Sequence, residues 1–208
     1  MPLYKTITPN SQTTVKIWKI TESYEDLMDK VNLKPVALER VLSMKSELHQ
    51  RGFLSVRHLL REFGYTDADL FYDEFGKPHL KDGKQISITH SFNFSAIIIS
   101  DLIVGIDVEK QRDKISIIAH KFIDYELDYL KEEASDYVKK LTAIWCVKES
   151  LYKLFCTPGL SFKNHCLVIP FAIEDDKTVA WIDYEEQKYR YNIEFLEFEG
   201  FTCAYAIE

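Results

Sequence analysis

The chain has 208 residues, 46% of them hydrophobic and 13% aromatic, which is enough to bury a sizeable core and too apolar for disorder. Its net charge of −7 is uneven: residues 1–104 carry 13 basic and 13 acidic side chains, residues 105–208 carry 13 and 20. That balance excludes nucleic-acid binding through bulk charge, and no apolar run reaches the length of a membrane-spanning helix. The opening residues M-P-L-Y-K-T-I-T-P-N lack the charged, apolar and small-residue regions of a signal peptide, so the expected compartment is the cytoplasm. Four cysteines (146, 156, 166, 203) without C-x-x-C spacing argue against structural zinc and a disulfide framework.

In chain order, Thr14 to Ile20 alternates and reads as a strand, followed by a short helix capped by Thr21 or Ser23. Residues 36–63 have helical period, with Gly52 as a bend or interruption and Gly64 as a stop. Short strands are expected at 70–72, 85–89 and 94–100, separated by the turns Gly76-Lys77-Pro78 and Lys81-Asp82-Gly83-Lys84. A strand over 102–109 precedes helices over 115–122, 125–133 and 135–155. Strands near 166–169, 178–182, 189–196 and 201–207 close the chain. Helix-rich segments followed by strands in both halves predict a two-lobed α+β protein.

Two stretches stand out. In V-G-I-D-V-E-K (104–110), strand alternation puts Gly105, Asp107 and Glu109 on one face, with the two carboxylates about 6.6 Å apart at Cα. They are either the wet face of a sheet or a pair that leans onto one cation. In the helix T-A-I-W-C-V-K-E-S-L-Y-K-L-F, residues Ile144, Val147, Leu151, Leu154 and Phe155 form the apolar stripe. Trp145, Glu149 and Lys153 stack on the other side, and Lys148 falls near the stripe's edge. Glu149 and Lys153 read either as a surface i, i+4 ion pair or as functional groups.

In order along the chain, G-K-P (76–78), T-H-S (89–91), G-I-D-V-E (105–109) and W-C-V-K-E-S-L-Y-K (145–153) resemble the 4′-phosphopantetheinyl transferase superfamily, in its long, surfactin-type branch. The resemblance covers roughly residues 40–162. It implies an α+β fold built as a pseudo-twofold pair of similar α/β lobes, each a small, mostly antiparallel sheet packed with helices. The lobes are expected at 1–101, on the nucleotide side of coenzyme A, and 102–208, with the metal and catalytic helix; the active site is expected at their interface. The implied activity moves phosphopantetheine from coenzyme A to a serine of an apo acyl or peptidyl carrier protein, releasing adenosine 3′,5′-bisphosphate. Mg²⁺, with Mn²⁺ as the alternative, would be held by Asp107, Glu109 and Glu149.

By the same resemblance Asp107, Glu149 and Lys153 are catalytic: Glu149 helps deprotonate the serine, and Lys153 balances charge on the bridging phosphates. Arg51, Arg57, Gly76, Lys77, Pro78, Thr89 and His90 would hold the coenzyme. His90 also reads as a turn histidine satisfied by backbone, and G-K-P as a good turn. Thr89 and Ser150 depart mildly from the family pattern, and C-T-P-G-L-S-F replaces a glycine-richer loop, which leaves the shape of the pantetheine channel open. Carrier docking is expected around Arg112, Lys114, Ile117, Lys121, Lys139 and Lys140. A monomer should suffice, with neither nucleic acid nor membrane as partner. The alternative function is a non-catalytic coenzyme-A-binding or interaction protein of the same fold.

Overall fold

The computed structural model describes residues 2–208, which form two compact units divided between Ile103 and Val104. Both are α+β, with antiparallel sheets packed against helices.

The first unit runs β1 (Leu3–Asn10), β2 (Thr13–Lys19), α1 (Tyr24–Asp29), α2 (Pro35–Ser43), α3 (Glu47–Glu62), β3 (Leu70–Tyr72), β4 (Pro78–Leu80), β5 (Gln85–Ser91) and β6 (Phe94–Ser100). Its main sheet has the order β1-β2-β6-β5, with β3 and β4 forming a separate hairpin. Strand β6 is buried along its whole length; it lies inside the sheet, and its Ile97 and Ile99 join the core that α3 covers. Helix α3 turns Phe53, Leu54, Val56, Leu59 and Leu60 into a core shared with Trp18, Ile97 and Ile99. The single helix expected over 36–63 is two helices. The chain is extended at Met44 and Ser46, and the Gln50 side-chain amide donates to Val41 O at the end of α2. Gly52 therefore lies inside α3 and interrupts nothing.

His58, in the middle of α3, is buried and its Nε2 lies 3.0 Å from Leu27 O, with Trp18 stacked on its ring. Burial pushes the imidazole below its ordinary 6.5, aided by Arg61 and Lys30 and opposed by the Leu27 carbonyl and Glu22. The unfolded chain thus binds this proton more readily than the folded one, so the contribution is complete above about pH 6.5 and is lost as pH falls below it. The stability difference between the wild type and His58→Gln is expected to change by up to about 1.4 kcal/mol per pH unit in that range. Urea unfolding at pH 7.5 and 5.5 measures it, and a difference independent of pH would contradict it.

The second unit runs β7 (Val104–Lys110), α4 (Lys114–Ile118), α5 (Tyr137–Phe155), α6 (Phe162–His165), β8 (Cys166–Val168), β9 (Lys177–Tyr184), β10 (Gln187–Phe198) and β11 (Phe201–Ile207). The sheet order is β7-β11-β10-β9-β8, antiparallel throughout. The 19-residue α5 lies across β7 and β11. Leu141, Ile144, Val147, Leu151 and Leu154 all enter the core. The helix expected over 125–133 is only a 3₁₀ turn at Tyr125–Asp128. Its Glu126 points inward and accepts from the Asp124 and Val168 amides, which takes the segment out of helical period.

Candidate active site

Glycine at 105 is what lets α5 sit on β7. A Cβ there would stand 1.9 Å from the Ser150 carbonyl oxygen and 3.1 Å from Leu154 Cβ. Ala206 and Ala204, the β11 partners of Gly105 and Asp107, keep the neighbouring strand equally low. The Ser150 hydroxyl lies 2.9 Å from Ala204 O and 2.7 Å from Cys146 O, so serine at this position ties the helix to β11.

The same face of β7 carries Asp107 and Glu109. Asp107 is 5% exposed, and its Oδ1 accepts a hydrogen bond from Lys153 Nζ at 2.8 Å; the lysine also donates to Ile106 O at 2.9 Å. The i, i+4 surface reading of Glu149 and Lys153 gives way to this arrangement: Lys153 pairs across elements, with the strand. Burial works against the ammonium charge, but Asp107 and then Glu149 outweigh it and raise the lysine above its ordinary value. Glu149 is pushed up to about 7, first by burial and next by the Asp107 charge, with Lys153 opposing and Glu109 adding. Asp107, Glu109, Glu149 and Lys153 thus act on one another electrostatically. Among the described residues, no three His, Cys, Asp or Glu side chains are gathered as a metal-holding cluster.

In the first unit, the T-H-S strand and the R-G-F stretch of α3 meet. His90, exposed at the end of β5, lays its ring so close to Gly52 that an added Cβ would stand 2.9 Å from His90 Nδ1. Arg51, next to that glycine, sends Nη2 to Ile20 O at 3.4 Å, while its Nε is buried without a hydrogen-bond acceptor among the described residues. Thr89 is buried in β5. Arg57 is engaged internally: it is 5% exposed, its Nε donates to Asp67 Oδ1 at 3.0 Å, its Nη1 donates to Phe53 O, and it stacks over the Phe53 ring. Asp67 also accepts from the Lys34 amide, so Arg57 joins α3 to the start of α2.

Gly76, Lys77 and Pro78 lie at the turn of the β3–β4 hairpin, where Gly76 has φ +82°. Asp73 organises that turn. Its Oδ1 accepts the Phe75 and Lys77 amides and its Oδ2 lies 3.0 Å from His79 Nε2. Sequence reasoning passed over Asp73, although an aspartate three residues before a glycine is ordinary turn chemistry. It also passed over Glu126 and the role of Lys148, which have no local signature because their partners are distant in sequence.

No helix of the described residues is long and apolar enough to cross a membrane. No curated protein matches the chain. The sequence profile of the 4′-phosphopantetheinyl transferase superfamily matches residues 103–206, half of the chain and nearly all of the second unit. It spans β7 with Asp107 and Glu109 and the whole of α5 with Glu149 and Lys153. The chain therefore belongs to the 4′-phosphopantetheinyl transferase superfamily, and the chemistry of that superfamily is phosphopantetheine transfer.

Proposed function

We propose that the protein transfers the 4′-phosphopantetheine arm of coenzyme A to a serine hydroxyl of an apo acyl or peptidyl carrier protein, as the surfactin-type branch does, and works as a cytoplasmic monomer. The observation that carries this reading is the Lys153–Asp107 contact beside Glu149, within the family-matched segment. In the reaction the serine oxygen attacks the phosphorus that bears the pantetheine arm. The bridging P–O bond breaks, and its electrons leave with adenosine 3′,5′-bisphosphate.

Glu149 receives the serine proton, directly or through a water. A carboxylate placed beside the attacking hydroxyl can accept its proton as the bond to phosphorus forms. Lys153, held charged by Asp107, lies against the bridging phosphates and stabilises the charge that builds on the leaving oxygen. Asp107, Glu109 and Glu149 offer only oxygen, the donor type a hard divalent cation takes, and although they are not gathered as a three-ligand cluster among the described residues they are the side chains that would hold it. Mg²⁺, or Mn²⁺ in its place, would polarise the phosphoryl oxygens when bound.

His90 and Arg51 are proposed to hold the 3′-phosphate end of coenzyme A, with Lys77 adding positive charge near the nucleotide. The orphaned Arg51 Nε and the exposed imidazole beside Gly52 support this. Gly52→Ala tests it, because the new methyl must push the imidazole aside. The contact is with a side-chain ring and not with backbone, so the stability cost is expected to stay below that of a backbone clash. Coenzyme A affinity, measured by calorimetry, is expected to fall about tenfold. Unaltered affinity would remove His90 from the coenzyme site. The function as a whole is tested by following adenosine 3′,5′-bisphosphate release from coenzyme A in Mg²⁺ with an apo carrier present; release that does not depend on the carrier would contradict it.

A further inference from the structure

Lys148 precedes Glu149 on α5, yet the transfer chemistry makes no use of it. It is fully buried and paired with fully buried Glu126 at 2.8 Å. Its ammonium also donates to Phe122 O at 2.6 Å and to Phe162 O at 3.1 Å. Three N–H donors thus meet three acceptors from segments on either side of the helix, and Glu126 in turn accepts the Val168 amide at 2.8 Å. The two phenylalanines held by their carbonyls flank one indole. Phe122 meets Trp145 edge-on at 5.1 Å, Trp145 meets Phe162 at 5.6 Å, and Phe162 meets half-exposed Tyr152 at 5.8 Å.

An apolar pair of similar volume is often as stable as a buried ion pair. It would leave two carbonyls and two amides without these partners, so what the pair contributes here is fixed geometry. Trp145 lies one turn before Glu149 and Lys153 one turn after it. In an in-line transfer the attacking and leaving oxygens lie on opposite sides of phosphorus. With Lys153 at the leaving side, the Trp145 side is the side of the acceptor.

We infer that Lys148 and Glu126 are positioning residues that hold partly buried Trp145 and Phe162, backed by fully buried Phe122, as a wall beside Glu149, and that the Trp145–Phe162 face seats the serine-bearing segment of the carrier protein. The inference rests on the transferase reading above. It is tested with the apolar double variant Lys148→Met/Glu126→Leu. A cooperative melt is expected to persist, the Val168 amide to exchange faster, and KM for the apo carrier to rise about tenfold or more, with KM for coenzyme A within about twofold of wild type. Phe162→Ala trims the wall and leaves the ion pair's side chains intact, so it is expected to raise the carrier KM even if the double variant fails to fold. A carrier KM unaltered in the folded variants would overturn the inference, as would an equal rise in both KM values. A wild-type protein that loads no carrier would refute the transferase reading first, and this inference with it.

Discussion

Gly105→Ala is expected to destabilise the second unit by about 3 kcal/mol, the upper end of what overpacking costs, and to abolish most activity. The obstacle is backbone: the new Cβ would stand 1.9 Å from Ser150 O and 2.8 Å from Ser150 C. No side-chain rotation relieves that contact, so α5 must lift from β7. Lifting α5 takes Glu149 and Lys153 away from Asp107 and breaks the Ser150 link to Ala204. Urea unfolding followed through Trp145 and Trp181 measures the loss. Wild-type stability in this variant would mean that the helix does not rest on the strand as described.

Asp107→Asn should separate chemistry from folding. The substitution keeps the shape and removes the charge that holds Lys153 as an ammonium. Lys153 is 28% exposed, so water takes over part of its solvation, while the Asp107 side chain is only 7% exposed; the stability cost is expected to be about 1–2 kcal/mol. The rate of transfer is expected to fall by about 10²–10³, the scale seen when one electrostatic group aimed at a transition state is lost. Carrier loading at saturating coenzyme A, with the unfolding midpoint measured in parallel, reads both effects. A large loss of stability with a small loss of rate would make the pair structural.

How much of this was legible in the sequence depended on whether the signal was local. The apolar stripe of α5 and the alternation of β7 are local, and both elements stand where their periods put them. The pairing of Lys153 with Asp107 was not local. Spacing alone offered Glu149 as the lysine's partner, and only packing, made possible by Gly105, delivers the strand carboxylate instead. Strand β1 escaped notice because it is an edge strand with most side chains exposed, which leaves little hydrophobic pattern to read. The 125–133 segment looked helical because its apolar residues recur suitably. Its fate was set by Glu126, whose buried partner lies 22 residues away.

Gly52 shows the same limit from another side. Within a helical period a glycine reads as an interruption, whereas here its missing side chain makes room for His90, 38 residues further on. Arg57 and Arg51 cannot be told apart by helix position. The difference is that Arg57 Nε is engaged by Asp67, whereas Arg51 Nε has no acceptor among the described residues.

The most direct test of phosphopantetheine transfer to a carrier is to incubate the protein with coenzyme A, Mg²⁺ and an apo carrier protein and to weigh the carrier by mass spectrometry. Glu149→Gln runs alongside. The expected result is a phosphopantetheine-sized gain on the carrier's serine with the wild type and almost none with the variant. An unmodified carrier, with coenzyme A bound and left intact by the wild type, would contradict the account.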